Sequence, residues 1–279
     1  MSGTRLDPIV AAVRARAAER RRGQSLERLR DLVREDSWRR ERFLAGFPRG
    51  GFAFIAEMKR RSPSAGILLP EADDPRSTLP TRTPRPGPRW FSLAQAYRDA
   101  GAAAISVLTE EDHFGGCLDD LRAVEFTRLP RLRKDFVVDE GMLYESCLYG
   151  ADAVLLLAAV LAPGELAALR NVARELGLAV LLEVHDEREL DLAVPLEPEL
   201  LGVNARDLAT FRVDLATVER LLPRIPAGPI KVAESGIKGV EDLQRVRAAG
   251  ADAALVGETL VRADDPAATL RAWKEALVG

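Results

Sequence analysis

The sequence predicts a (β/α)8 barrel preceded by a helical extension, and three observations carry that prediction. Past residue 50, eight short apolar runs alternate with helical patterns at a nearly regular interval. The runs are apolar at consecutive positions rather than at alternate ones, as expected for parallel strands covered on both faces. None is followed by the G-x-G-x-x-G turn of a doubly wound nucleotide fold, and eight strand-helix units fit a closed barrel better than an open sheet. The size agrees: 279 residues, 47% hydrophobic and 30% charged, are enough for one large core, so residues 1–279 are expected to form a single barrel domain.

Residues 1–48 read as the extension. PIVAAVRARAAERRR (8–22) places Ile9, Val10 and Val13 toward one helical face with arginines around the rest, and SLERLRDL (25–32) continues in helical style. The formal charge of −3 hides an asymmetry, because residues 1–50 carry thirteen Arg against seven Asp and Glu. A basic amphipathic helix can bind nucleic acid or a membrane surface. Here acids are mixed in, aromatics are missing from residues 1–37, and the whole chain uses 35 Arg to 5 Lys. The expectation is therefore a helix packed across the barrel, with neither nucleic acid nor membrane as partner. No run reaches the roughly 20 apolar residues of a membrane span, and MSGTRLDPIVAAVRARAAERRR lacks a secretory apolar segment, so a cytoplasmic protein is expected.

The strands follow in order. FAFIAEM (52–58) opens the barrel and runs into KRRSPSAG, after which residues 70–89 hold six prolines and no periodicity. That segment reads as an insertion in the first strand-helix loop, unable to pack a core of its own. AAISVLT (103–109), RLRKDF (131–136), DAVLLLA (152–158), AVLLEV (179–184), LLGVN (200–204), IKVAE (230–234) and AALVG (253–257) supply the other seven strands. Between them, Leu166, Leu169, Ala173 and Leu176 show helical spacing, and Asp186 with Glu189 three residues on is an acidic form of a capping box. Cys117 and Cys147 have no companion histidines at metal spacing and read as packing residues, so neither a disulfide framework nor a zinc site is expected.

Active sites of this fold collect at the C-terminal ends of the strands. Those ends carry Glu57 and Lys59, then Lys134 with Asp135, Glu183, Asn204 with Arg206, Glu234 with Ser235 and Gly236, and Gly257 with Glu258. Any one of them alone would read as a solvated strand end. Two lysines and three glutamates facing one ring shift each other's protonation, which favours a site. The glycines at ESGI (234–237) and VGE (256–258) stand after the seventh and eighth strands, the usual phosphate cradle of this fold, so a phosphorylated small molecule is expected. Phe114 and Phe136 adjoin strand ends and suit either a structural role or an apolar wall for an aromatic ring. His185, one residue past a strand end at a helix start, reads as polar surface, and His113 similarly.

IAEMKRRSPSAG, AAAISVLTEEDHFGG, LRKDFVVDEGM, LLEVHDE, GVNARDLATF, VAESGI and VGETL, in this order and spacing, resemble the indole-3-glycerol phosphate synthase family from about residue 50 to 262. The resemblance implies a carbon-carbon carboxy-lyase of tryptophan biosynthesis. Its reaction closes the indole ring of 1-(2-carboxyphenylamino)-1-deoxyribulose 5-phosphate with loss of carbon dioxide and water, using no metal or organic cofactor. Carried onto this chain, it implies Lys134 as general acid, Glu183 as general base, and Lys59 in contact with substrate and sharing acid work. Glu57 and Asn204 then steady charge near the reacting atoms, and Arg206 lies by the anthranilate carboxylate. Ser62, Phe114, Phe136, Leu155, Glu234 and Ser235 would line the pocket, and Gly236, Gly257 and Glu258 its phosphate end. Many relatives carry serine where Glu258 stands, so its amide rather than its side chain is expected to meet phosphate. A monomer is the expected state, with a dimer as the alternative. The other readings are a regulatory phosphate-binding barrel and a phosphoribosyl isomerase on the same scaffold, which would show a different acid/base set.

Overall fold

The apolar runs become strands because nearly every residue in them is covered on both sides, by the barrel interior on one face and by helices on the other. In the computed structural model, which describes residues 6–33, 38–62, 66–69, 87–208 and 210–277, eight parallel strands close into a barrel. They are β1 (Ala53–Met58), β2 (Ala104–Leu108), β3 (Arg131–Lys134), β4 (Ala153–Leu157), β5 (Ala179–Val184), β6 (Leu200–Asn204), β7 (Ile230–Glu234) and β8 (Ala253–Val256). Each pairs with its sequence neighbours, and β1 closes the ring against β8. The register sets Glu183 beside Gly202 and Asn204 beside Glu234, so the polar strand ends meet at one rim.

Three helices precede β1: α1 (Asp7–Gly23), α2 (Leu26–Leu32) and α3 (Trp38–Leu44). α1 buries Ile9, Val13 and Ala17, a four-residue spacing that keeps one stripe on the barrel. Its Arg14, Arg16, Arg20 and Arg21 are engaged by the chain's own acids. Arg16 meets Glu110 and Asp112 at 2.9 Å each, Arg21 meets Glu145 at 2.5 Å, and Arg14 meets Glu165 at 3.0 Å. The helix is packed on the barrel, as its apolar face predicts, and lies over the rim where the strands end. α3 closes the opposite end: Arg42 donates to both carboxylate oxygens of Asp152, just ahead of β4, and Phe43 is fully buried. Covering a phenylalanine in this way contributes on the order of 1.5–3 kcal/mol.

The outer layer continues with α4 (Pro88–Asp99), α5 (Asp119–Ala123), α6 (Glu140–Leu148), α7 (Pro163–Glu175), α8 (Glu187–Ala193), α9 (Leu215–Leu221), α10 (Val240–Ala248), α11 (Glu258–Arg262) and α12 (Pro266–Ala276). Residues 70–86 of the proline-rich insertion lie outside the described residues. Pro88 and Arg89, placed in that insertion by composition, instead begin α4, where proline at the first position sacrifices no helical hydrogen bond. The capping pattern at Asp186 forms: its side chain accepts from the amide of Glu189, whose carboxylate in turn accepts from the amide of His185. Among the described residues no helix is long and apolar enough to cross a membrane.

Candidate active site

The rim begins at β1. Glu57 is buried, and Lys59, two residues on and so on the same face of the extended chain, sets its ammonium 2.9 Å from the Glu57 carboxylate. Alternation then divides the two arginines that follow. Arg60 turns inward, donates through Nε and Nη2 to Asp120 at 3.2 and 2.5 Å, and stacks over Trp90 at 4.7 Å. Arg61 turns out and donates to the carbonyl of Asp112. The carbonyl of Arg60 accepts from the amides of Leu68 and Leu69, so the chain leaving Lys59 is clamped on both sides.

Across the mouth, Lys134 at the end of β3 stands between two carboxylates. Its ammonium donates to Oε2 of Glu183 at 2.7 Å and to Oε2 of Glu234 at 3.0 Å, which leaves a third N–H for a ligand. Oε1 of Glu183 accepts from Asn204 Nδ2 at 2.8 Å, and Oδ1 of Asn204 accepts from the amide of Arg206 at 2.9 Å. Burial disfavours every charged form here, and the neighbouring charges decide which group keeps its charge. It disfavours the Lys134 cation, but Glu183, Glu234 and Glu57 together raise that group above an ordinary lysine. Burial also disfavours the Glu183 anion, yet Lys134 and His185 outweigh it and hold the carboxyl well below the usual range. Glu234 is pushed up to about 8, by burial first and by the Glu183 charge second.

Two adjoining cavities meet at this lysine. The smaller, about 120 Å³, is walled by Phe114, Phe136, Leu155 and Leu157 from the barrel and by Leu6 and Ile9 from α1, with Ser62 at its edge. The larger, about 700 Å³, opens toward β7 and β8 and is bordered by Ser235, Gly236, Gly257 and Glu258, with Lys238 and Arg262 nearby. Glu57, Lys59, Lys134, Arg206 and Ser235 face both. The residues that the resemblance assigns to the site therefore lie on one connected surface, apolar at one end and open and polar at the other. The Glu258 side chain points along its own helix to Arg262 Nε at 3.2 Å.

The glycines do more than the sequence suggests. Gly236 has φ of +81°, a left-handed conformation that glycine adopts without strain. At Gly257 a Cβ would fall 2.2 Å from Oε1 of Glu57, and at Gly202 it would fall 2.1 Å from Oε1 of Glu234. Both glycines vacate the volume that a buried carboxylate occupies.

One expectation is overturned. His185 is not polar surface: its side chain is 11% exposed, with Nε2 at 3.1 Å from Glu183 and Nδ1 at 3.0 Å from Glu189. Its place was available from parity, since residues 183 and 185 of an extended strand share a face. Leu6 and Ile9 also went unassigned, because the apolar face of a helix does not tell which surface it covers.

The indole-3-glycerol phosphate synthase family model matches residues 6–273. The chain is 46% identical to the indole-3-glycerol phosphate synthase of a Nocardioides species over 95% of this chain and 96% of that one. It is 43% identical to indole-3-glycerol phosphate synthase 2 of Streptomyces coelicolor, over 97% and 98%. Among solved structures, the thiamine phosphate pyrophosphorylase of Pyrococcus furiosus superposes with a TM-score of 0.55 at 14% identity, covering 86% of this chain and 98% of that one, a likeness of fold alone. A match running from α1 through α12, over a barrel whose strand ends converge on Lys134, places the chain in the indole-3-glycerol phosphate synthase family.

Proposed function

We propose that this chain closes the indole ring of 1-(2-carboxyphenylamino)-1-deoxyribulose 5-phosphate, releasing carbon dioxide and water, with Lys134 as the acid that starts the reaction. The observation that carries the reading is the single ammonium of Lys134 between Glu183 and Glu234, at the junction of an apolar chamber and an open polar cleft. The anthranilate ring fits the chamber walled by Phe114, Phe136 and Leu155, and the phosphate fits the cleft beside Gly236, Gly257 and the Glu258 amide. Arg206 and Lys59 lie where both cavities meet and serve the carboxylate and the ribulose chain.

The chemistry follows from the protonation states. The third N–H of Lys134 donates to the ribulose carbonyl as the ring carbon bearing the carboxylate attacks it, so the carbonyl oxygen becomes a hydroxyl. Loss of carbon dioxide returns the bonding pair to the ring. The hydroxyl, protonated by Lys134 or Lys59, leaves as water while the nitrogen lone pair fills the gap. Glu183, held ionised, then removes the remaining proton from the adjacent carbon and completes the indole. Oε1 of Glu234 is buried against Gly202 with no hydrogen-bond partner among the described residues, which favours the protonated form of this carboxyl beside the ionised Glu183. In this reading the acid, the base and both cavities come from one chain, so a monomer suffices for the reaction.

The test is the fluorescence of newly formed indole-3-glycerol phosphate. Lys134→Met and Glu183→Gln are expected to lower kcat by about 100-fold or more, the size of a lost general acid or base. Rates near wild type in both variants overturn the assigned roles.

A further inference from the structure

His185 follows β5 directly, and each nitrogen of its ring faces a carboxylate. Nε2 lies 3.1 Å from Oε1 of Glu183, close enough for an ion pair although off the hydrogen-bond line, and Nδ1 lies 3.0 Å from Oε2 of Glu189 on α8. The same Glu189 oxygen accepts from the backbone amide of His185 at 2.8 Å, which locks the residue that carries the ring. A neutral imidazole has one N–H and one lone pair. Whichever tautomer it took, a lone pair would face a carboxylate oxygen about 3 Å away. Only the doubly protonated ring satisfies both contacts.

The setting gives that charge a task. The charged groups facing His185 are Glu183 from β5 and Glu189 from α8, with Lys134 of β3 on the far oxygen of Glu183. Lys134 is shared with Glu234, so it does not by itself decide which of the two buried carboxylates keeps its charge. Asn204 adds a neutral donor to Oε1. A second cation at Oε1 breaks the tie.

We propose that His185 is a positioning residue for the ring closure, an imidazolium that holds Oε1 of Glu183 in place and keeps Glu183, rather than Glu234, as the ionised member of the pair. The inference rests on Glu183 being the general base. It agrees with the raising of His185 to about 10, where burial opposes the cation and Glu183 and Glu189 more than offset it. Without the imidazolium, the proton of the Glu183–Glu234 pair spreads over both carboxylates near neutral pH, and part of the enzyme enters the reaction with its base already protonated.

The chain has two histidines, so His113→Gln leaves His185 as the single imidazole in a ¹⁵N spectrum. Both ring nitrogens are expected to remain protonated from pH 6 to 9, and Glu189→Gln to lower the pH at which they titrate. A neutral ring at pH 7.5 overturns the proposal, and this measurement needs no His185 variant to fold. In steady-state kinetics His185→Gln is expected to lower kcat at pH 7 by about 10- to 100-fold, the worth of a charge-assisted contact, with KM changed less than about twofold. The acid limb of its kcat profile is expected to move up by about one pH unit or more. An unchanged kcat and pH profile in His185→Gln, alongside an inactive Glu183→Gln, overturns this inference alone. Wild-type turnover in Glu183→Gln removes the reading of the base on which it stands.

Discussion

Gly202→Ala adds one methyl group, and the structure says where it goes. The new Cβ would lie 2.1 Å from Oε1 of Glu234, with Leu181 Cδ1 at 3.1 Å. Contacts below 3.0 Å do not occur at real Cβ atoms, so the carboxylate has to retreat by roughly 0.9 Å or more. Glu234 is 1% exposed and has little room to give. Its other oxygen sits 3.0 Å from Lys134, so the retreat stretches that bond toward the limit of a hydrogen bond and lets the ammonium settle onto Glu183. A displacement of about 1 Å at a reacting group costs on the order of 100-fold in rate, and overpacking of this kind costs about 1–3 kcal/mol in stability. Indole fluorescence gives kcat, and urea unfolding gives the stability. Adding Glu234→Asp to the same variant shortens the side chain by one methylene and should restore stability without restoring kcat. Turnover within about twofold of wild type, with unchanged stability, would refute the view that Gly202 exists to seat this carboxylate.

Three further outcomes follow from the geometry. Asp120→Ala strands the buried guanidinium of Arg60 and is expected to cost about 3–5 kcal/mol in urea unfolding, while the double variant Arg60→Met/Asp120→Leu recovers most of it; equal losses in the two would count against the pair. Glu234 is raised from 4.5 to about 8, so the native chain holds a proton that the unfolded chain releases between those values. Stability from this group is therefore lost as pH rises through that window, by at most about 1.4 kcal/mol per pH unit, and Glu234→Gln should flatten the slope; parallel pH profiles would contradict the assignment. Ile9→Ala removes part of the apolar chamber wall and is expected to raise KM about 5- to 20-fold with kcat nearly unchanged, as for lost uniform binding; an unaltered KM would show that α1 does not touch substrate.

Much of this protein is legible without coordinates, because the relevant forces are local. Consecutive burial of AVLLEV, LLGVN and IKVAE announces strands covered on both faces, and the charges that end those runs announce a polar rim, since apolar residues would serve a strand there equally well. The parity that unites Glu57 and Lys59 is likewise a property of two adjacent peptide units. By the same parity His185 belonged with Glu183, but a histidine opening a helix has an ordinary capping context that hides it. Gly202 gave no signal, since its neighbour Glu234 is 32 positions away.

The sequence by itself determined the barrel, the strands that end in acids and bases, and the family to which they point. Only the tertiary structure decided how those groups divide the work. Lys134 meets Glu183 and Glu234 across 49 and 100 residues of chain, and its charge is felt only because the closed sheet brings both carboxylates within 3.0 Å of its ammonium in a buried place. Two glutamates identical in composition thus differ in proton occupancy, one held ionised and one pushed up to about 8, because electrostatic energy depends on separation and burial, and neither quantity is written along the chain.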